Sequence, residues 1–345
     1  MAKKELVKEA AAEEGEVCRA DFPPNFLFGV ATASYQIEGA CNEGGRGPSI
    51  WDSFSHTEGK IIDGSNGDVA VDHYHRYKED VDLIHKFGFD AYRFSISWSR
   101  IFPDGLGTKV NDEGISFYNN LINALIEKGI RPFATLYHWD LPLHLQESIG
   151  GWLDKQIVNY FAIYADTCFA HFGDRVKNWI TINEPLQTAV NGYDAGIFAP
   201  GRREGSSAEP YWVAHHQILA HATAVSIYRS KYKDNHGGQI GLVLDCEWAE
   251  ANSDKIEDKT AAARRLDFQL GCHLREVIGF NQLRLSSAGL LESWVGASGR
   301  NNKFQLLQQL RSATFEAKSD RKATQKLRLS AAKSTAERSL SLVSV

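Results

Sequence analysis

A carboxyl group directly follows an apolar run near the middle of the chain, in the string TINEP at 181–185. The apolar run predicts a buried strand, and the proline ends its hydrogen-bond ladder. A carboxyl group held beside Trp179 and Ile182 loses solvation, so its pKa should rise toward the range of a general acid. Glu184 is therefore a candidate acid/base residue. The alternatives are that it caps a helix or pairs with a nearby base.

Polar groups also follow two other apolar runs. In LYHWDLP (136–142), His138 offers a neutral donor and Trp139 a flat stacking face, which together suit a polar ring such as a sugar. In SYQIEG (34–39), Gln36 carries an amide that can donate to and accept from hydroxyl groups. In isolation, a histidine at a strand end is more often a satisfied core residue than a ligand, and a polar loop explains Gln36 equally well.

Arg93 is a charge inside the apolar run 91–96, and a buried charge needs a partner. We therefore expect a carboxylate beside it, although the residues alone do not say which one. Metal binding is not expected. The pairs His73-x-His75 and His215-His216 lack ligand neighbours at a suitable spacing, and no HExxH motif occurs.

A regular alternation of apolar runs and amphipathic stretches positions these residues. Five short apolar runs predict parallel strands covered on both faces, at 26–33, 91–96, 131–138, 179–185 and 239–245. Amphipathic spacing predicts helices at 77–88, 111–129, 154–176, 209–232 and 260–271. The second helix has one apolar stripe, made of Tyr118, Leu121, Ile122, Leu125 and Ile126. Alternating strands and helices predict a parallel sheet with right-handed crossovers.

Such a sheet is either doubly wound or closed into a barrel. The phosphate-binding signatures of the doubly wound fold are missing, since Gly105-Leu106-Gly107 has no third glycine and the glycines at 44–47 are not followed by Lys and Ser/Thr. Polar residues at several carboxyl ends of strands favour a (β/α)8 TIM barrel. Five units occupy about 250 residues, so eight at that spacing would need about 400.

The charge of the chain changes at residue 271. Residues 1–271 carry 26 basic and 38 acidic side chains, whereas residues 272–345 carry 12 basic and 5 acidic ones together with 11 serines. We expect a charged N-terminal extension over 1–20, a partial barrel over 21–271 and a poorly ordered or loosely helical tail over 272–345. The basic tail lacks interleaved aromatic residues that stack on bases, so a nucleic-acid partner is not expected.

The ends and the cysteines favour a cytoplasmic protein. Residues 1–20 have no apolar run of signal-peptide length and are too acidic for a transit peptide. No apolar run approaches the roughly 18 residues that span a bilayer, so a membrane partner is not expected. The five cysteines are odd in number and widely spaced, which favours a reducing compartment.

Taken together, these strings resemble glycoside hydrolase family 1, and specifically the plant β-glucosidases. The resemblance rests on FLFGVATASYQIEGA (26–40), GPSIWDSF (47–54), YRFSISWSRIFP (92–103), LYHWDLP (136–142), TINEP (181–185), GYDAGIFAPG (192–201) and RRLDFQLG (264–271). It implies a TIM barrel that hydrolyses small-molecule β-glucosides with retention of configuration and needs no metal or organic cofactor.

The resemblance also implies roles for individual residues. Glu184 matches the general acid/base of the family. Gln36, His138 and Asn183 match residues that hydrogen-bond the sugar ring, with Asn183 holding the 2-hydroxyl group. Arg93 matches the arginine that lies against the catalytic nucleophile.

The sequence departs from this family after Gly271. The nucleophile of the family is a second glutamate in a T/V-E-N-G motif, and no such motif occurs here. Glu292 falls where a sixth strand is expected, but its neighbours do not match. We therefore expect a β-glucosidase by family, as a truncated isoform whose nucleophile is missing. The alternatives are an inactive sugar-binding remnant, a competitor for partners of the full-length enzyme, and an unstable product.

Overall fold

A computed structural model describes residues 18–203, 208–267 and 340–344 of the chain. Five parallel strands, β1 to β5, form a curled sheet that is part of a (β/α)8 barrel, which confirms the predicted fold. The strands are β1 (Gly29–Ala31), β2 (Ala91–Ser95), β3 (Arg131–Tyr137), β4 (Asn178–Asn183) and β5 (Gln239–Cys246). A short strand β6 (Leu340–Ser344) is the last in the strand order.

Helices connect consecutive strands of the sheet. Within the described residues they are α1 (Ser34–Ile37), α2 (Ile50–Ser55), α3 (His73–Lys86), α4 (Trp98–Ile101), α5 (Asp112–Glu127), α6 (Leu143–Ile149), α7 (Ile157–Phe172), α8 (Pro185–Gln187), α9 (Glu209–Ile227), α10 (Lys233–His236) and α11 (Ile256–Leu266). Within the described residues, the chain from Cys18 to Leu244 belongs to one compact unit, whereas α11 belongs to a second unit and has no buried residue. No helix in the described part of the chain is both long enough and apolar enough to cross a membrane.

The predicted strands and helices are present, with shifted boundaries. The largest difference is at β1, which spans three residues where eight were predicted, because it ends where the chain turns into α1. The predicted fifth helix begins four residues earlier, at Ile256. These differences arise at element ends, where a hydrophobic pattern does not mark the last hydrogen bond.

The apolar stripe of α5 packs into the core as predicted, except for its last member. Tyr118, Leu121, Ile122 and Leu125 are buried, whereas Ile126 is 44% exposed. Ile126 lies beyond Leu125 in the last turn, where the helix turns this position toward solvent. The helix ends at Glu127, two residues before the predicted end, and Gly129 follows the C-cap Lys128 with a φ of +72° that suits a residue without a side chain.

The tail falls almost wholly outside the described residues. This applies to Glu292 and to the order predicted for 272–345, of which only β6 is described. The N-terminal extension over 1–20 is described from Cys18 onward, where Arg19–Asp21 form one 3-10 turn. The predicted boundaries at 20 and 271 therefore stay predictions.

Candidate active site

Residues from three different strands meet at the carboxyl edge of the sheet, around Asn183 at the end of β4. Asn183 is only 1% exposed. Its side-chain oxygen accepts a hydrogen bond of 3.2 Å from Nη1 of Arg93 on β2. Its backbone oxygen accepts one of 2.9 Å from Nε1 of Trp139, which follows β3. The (β/α) topology thus brings together residues that lie about 90 and about 45 positions apart in sequence.

Glu184 follows Asn183 with a backbone conformation that side chains rarely adopt, at φ +46° and ψ +64°. The pairing of β4 with β5 shifts register between Ile180 and Asn183, just before this turn. Such irregularities re-aim side chains beside active sites. Glu184 precedes α8 but makes no side-chain capping bond to it, which disfavours the helix-cap interpretation.

The electrostatics connect Glu184 with Arg93. Burial lowers the pKa of the Arg93 guanidinium, and the negative charge of Glu184 opposes that shift. Glu184 is therefore a carboxylate whose charge acts on Arg93. The Nε of Arg93 is buried and has no hydrogen-bond partner among the described residues. A second acceptor could therefore be held on this side of the guanidinium.

His138 is a neutral imidazole at the end of β3. Burial lowers its pKa to about 3, and the positive charge of Arg93 adds to the shift. The ring therefore carries no charge at any pH near neutrality, and one nitrogen can donate while the other accepts. Its Nδ1 is buried without a partner in the described part of the chain. A neutral ring is compatible with the predicted donor, whose role in sugar binding stays a prediction.

Gln36 stands apart from this group. It lies on α1, directly after β1, so it occupies the same edge of the sheet, but its side chain is exposed. The two hydrogen bonds to Asn183 come from Arg93 and Trp139, so Gln36 takes no part in either of them. Of the three predicted sugar contacts, Asn183 is buried, His138 is partly buried and Gln36 is exposed.

Aromatic rings extend from Trp139 away from the strand ends. Phe198 stacks on Trp139 with ring centroids 5.3 Å apart and an interplanar angle of 29°. Trp51 lies 5.9 Å from Phe198, and Tyr35 lies 5.7 Å from Trp51. Of these four rings the sequence singled out only Trp139. The other three rings could not be predicted, because a ring and its stacking partner lie far apart in sequence and no local sequence pattern connects them.

Asp140, for which the sequence pattern predicts no role, has a buried carboxyl group next to this site. Asp140 is 1% exposed, and its Oδ2 accepts a hydrogen bond of 2.7 Å from the Ser34 hydroxyl. Burial raises the pKa of Asp140 from 3.8 to about 6, and the charge of Glu38 adds to the rise, whereas the Ser34 bond and the charge of Arg46 oppose it. In the string HWDLP (138–142), the sequence pattern singles out His138 and Trp139, which directly precede Asp140.

The shifted pKa of Asp140 predicts a pH-dependent stability. A raised folded-state pKa means that, between pH 4 and pH 6, the folded chain holds a proton that the unfolded chain has lost. The free energy of unfolding should therefore fall as pH rises through this window, by up to about 3 kcal/mol at about 1.4 kcal/mol per pK unit. Asp140→Asn should remove this slope. Urea unfolding of both chains at pH 4.5 and 7.5 measures the difference.

The control for this prediction is Asp82→Asn, which changes an exposed aspartate paired with Lys128 at 2.6 Å. Surface pairs contribute roughly 0–1 kcal/mol, so this variant should keep most of the wild-type slope. An identical pH dependence in wild-type and Asp140→Asn chains would contradict the assignment of the slope to Asp140.

Of the histidines considered for metal binding, His73 and His75 are engaged with carboxylates, whereas His216 Nδ1 lies 2.8 Å from the Trp152 backbone oxygen. His73 Nδ1 lies 2.6 Å from Asp80, and the two nitrogens of His75 lie 2.6 Å from Asp72 and 3.1 Å from Glu43. The described residues contain no group of three or more His, Cys, Asp or Glu side chains arranged to hold a metal ion.

Comparisons with known proteins match this fold and these strings. The sequence profile of glycosyl hydrolase family 1 matches residues 18–281. β-Glucosidase 42 of Arabidopsis thaliana is 74% identical over 256 residues, which cover 74% of this chain and 52% of the relative. β-Glucosidase 4 of Oryza sativa subsp. japonica is 65% identical over 265 residues, which cover 77% and 55%. The chain thus spans about half the length of the curated relatives it matches.

Solved structures give the same result. A rice β-glucosidase is 56% identical with a TM-score of 0.73, over 75% of this chain and 56% of that one. A β-glucosidase from Thermotoga maritima in complex with glucoimidazole is 50% identical with a TM-score of 0.68, over 72% and 55%. The range matched by the family profile, residues 18–281, contains the group around Asn183.

Proposed function

The chain belongs to glycosyl hydrolase family 1, and on this premise we propose that the group around Asn183 is the sugar-binding and acid/base half of a retaining β-glucosidase site. In this proposal Glu184 is the acid/base, and Gln36, His138 and Asn183 hold the glucose ring. Arg93 holds the side chain of Asn183 through its hydrogen bond. The substrate class is a small-molecule β-glucoside.

The observation that carries the proposal is the contact set of Arg93. One guanidinium donates to the side chain of Asn183 and also lies in the field of Glu184. The amide and the carboxyl group belong to consecutive residues at the end of β4, and in the proposal the amide binds a hydroxyl group next to the reacting carbon. The carboxyl group can then protonate the glycosidic oxygen as its bond to that carbon breaks.

The proposal also covers the missing half of the reaction. Retaining hydrolysis needs a second carboxylate about 5–5.5 Å from the first, which attacks the sugar carbon as the leaving group departs. The nucleophile motif of the family does not occur in this sequence. We therefore infer that the chain binds β-glucosides without turning them over, as a truncated isoform would.

Binding of glucoimidazole tests the proposal. The Thermotoga relative is in complex with this compound, and we expect the present chain to bind it. Asn183→Ala removes the buried amide and should weaken binding about tenfold to hundredfold, since a lost hydrogen bond in a desolvated site costs about 1–3 kcal/mol. Isothermal titration calorimetry on the purified chain measures both dissociation constants.

Asn123→Ala is the matched control for this experiment. Asn123 also accepts a hydrogen bond from an arginine, because Nη1 of Arg175 lies 2.7 Å from its Oδ1, but it sits on the outer helix α5. Its replacement should leave the dissociation constant unchanged. Equal affinities of the wild-type and Asn183→Ala chains would overturn the proposed site.

The proposal includes a reducing compartment, the cytoplasm. Cys18, Cys41 and Cys168 are free thiols, and Cys168 is buried. A reducing environment keeps such cysteines as free thiols.

The proposed acid/base chemistry requires no cofactor, since the protons move between Glu184 and the substrate oxygen.

A further inference from the structure

We propose that Asp140 is a positioning residue of the sugar site, which fixes the turn carrying Gln36 relative to His138. The inference rests on the proposed function, since it concerns two of the residues that hold the glucose ring. Its physical basis is a chain of buried hydrogen bonds that joins three strand ends behind the site.

The chain of bonds runs through Ser34, the first residue of α1. The Ser34 hydroxyl donates to Oδ2 of Asp140 at 2.7 Å. The same hydroxyl accepts from the Ser95 hydroxyl at 3.1 Å, while the Ser34 amide donates to Ser95 Oγ at 2.7 Å. All three residues are at most 3% exposed. The start of α1 is thereby tied to the ends of both β2 and β3.

The turn that carries Gln36 depends on such bonds for its position. Helix α1 has only four residues and no side-chain cap, and a single helical turn is marginal by itself. Strand β1 before it has three residues. Two neighbours of Gln36 anchor α1 elsewhere, since the Tyr35 hydroxyl lies 2.9 Å from Ser55 and Glu38 pairs with Arg100. The Asp140 bond supplies the anchor on the β3 side.

The segment between Asp140 and His138 is short and constrained. Only Trp139 separates the two residues, and its φ of +73° places it in the left-handed region. Trp139 is itself held by its bond to the Asn183 backbone. The segment that carries His138 is therefore fixed, and the Ser34 bond transmits its position to Gln36. Such second-layer hydrogen bonds hold a site within the tolerance that recognition requires.

The carboxyl group of Asp140 is costly to keep buried. Its Oδ1 has no hydrogen-bond partner in the described part of the chain. An unsatisfied buried acceptor costs about 1–3 kcal/mol, so a purely structural link could be made more cheaply by an apolar contact. The hydrogen bond from Ser34 indicates that the carboxyl group is kept because it fixes the position of α1.

A double-mutant cycle tests the inference by calorimetric binding of glucoimidazole. If Asp140 acts through Gln36, Asp140→Ala and Gln36→Ala should each weaken binding about tenfold, and the double variant should be no weaker than about tenfold. Asp140→Ala combined with Asn183→Ala should instead multiply the two single effects. Asp140→Asn keeps an acceptor for Ser34 and should bind within about threefold of wild type. Multiplying effects of Asp140 and Gln36, or no rescue by asparagine, would overturn the inference.

Amide hydrogen exchange gives a readout that needs no ligand. Asp140→Ala should speed exchange in the peptide covering residues 33–38 by about tenfold or more, while the peptide covering α5 stays unchanged. Asp140→Asn should restore the slow exchange. Unchanged exchange at 33–38 would overturn the anchoring role whatever the binding data show. Failure of the wild-type chain to bind glucoimidazole would instead contradict the proposed function, and exchange alone would then decide the anchoring role.

Discussion

The purified chain is expected to release no detectable phenol from an aryl β-glucoside, and Glu184→Gln is expected to leave this result unchanged. The reason is chemical. A retaining site with an acid but no nucleophile can protonate the leaving oxygen without trapping the sugar carbon. Removing one member of such a catalytic unit typically costs on the order of 10⁴- to 10⁶-fold in kcat. Continuous absorbance of the released phenol, at saturating substrate, measures the rate.

The matched variant makes this prediction decisive. Hydrolysis by the wild-type chain that disappears in Glu184→Gln would contradict it, because that result requires a working nucleophile within these 345 residues. A circular-dichroism melt of the same samples separates the remaining alternatives. A cooperative transition without turnover supports a folded sugar-binding chain, and the absence of any transition supports an unstable product.

Replacing Arg100 by methionine is expected to lower the free energy of unfolding by about 3–5 kcal/mol, because it leaves the Glu38 carboxylate buried without its counter-charge. The two side chains are 0% and 6% exposed and lie 3.0 Å apart. Glu38 also accepts from the Tyr118 hydroxyl at 2.7 Å, and the Arg100 guanidinium stacks 4.3 Å from the Tyr74 ring centroid. Domains are stable by only about 5–15 kcal/mol, so this loss is large. Urea unfolding followed by tryptophan fluorescence measures it.

Two further variants define what this loss means. Arg76→Met breaks an exposed pair with Glu79, and because the two side chains are 55% and 68% exposed, it should leave the free energy of unfolding almost unchanged. Arg100→Met combined with Glu38→Met removes both charges and should be less destabilised than Arg100→Met alone. A cost for Arg100→Met no larger than that for Arg76→Met would contradict the importance of the buried pair.

Much of the fold could be predicted from the sequence because its signals are local. Buried parallel strands are continuous apolar runs, and their covering helices have apolar stripes, so β2 to β5 and α5 were found near their observed positions. Glu184 and His138 are candidates for the site because each directly follows such a run, and their roles stay predictions. In a (β/α)8 barrel the carboxyl ends of the strands share one edge, so location along the chain already implied proximity.

The contacts that connect these residues could not be predicted in this way. Ser34 and Asp140 lie 106 positions apart, and no periodicity links a serine with a distant aspartate. The partner of Arg93 was expected to be a carboxylate, but its hydrogen bond goes to the amide of Asn183. Contacts between residues far apart in sequence depend on the three-dimensional packing of the fold, so the spacing of residues along the chain does not predict them.

A crystal structure of the chain soaked with glucoimidazole tests the central claim most directly. The account predicts density for one sugar ring at the carboxyl edge of β1, β3 and β4, within hydrogen-bond distance of Asn183 and His138. The Gln36 amide should turn toward the ring, and the Glu184 carboxyl group should face the imidazole. Density at another surface, or an empty edge at a saturating concentration of glucoimidazole, would contradict the assignment of this group as a glucose-binding site.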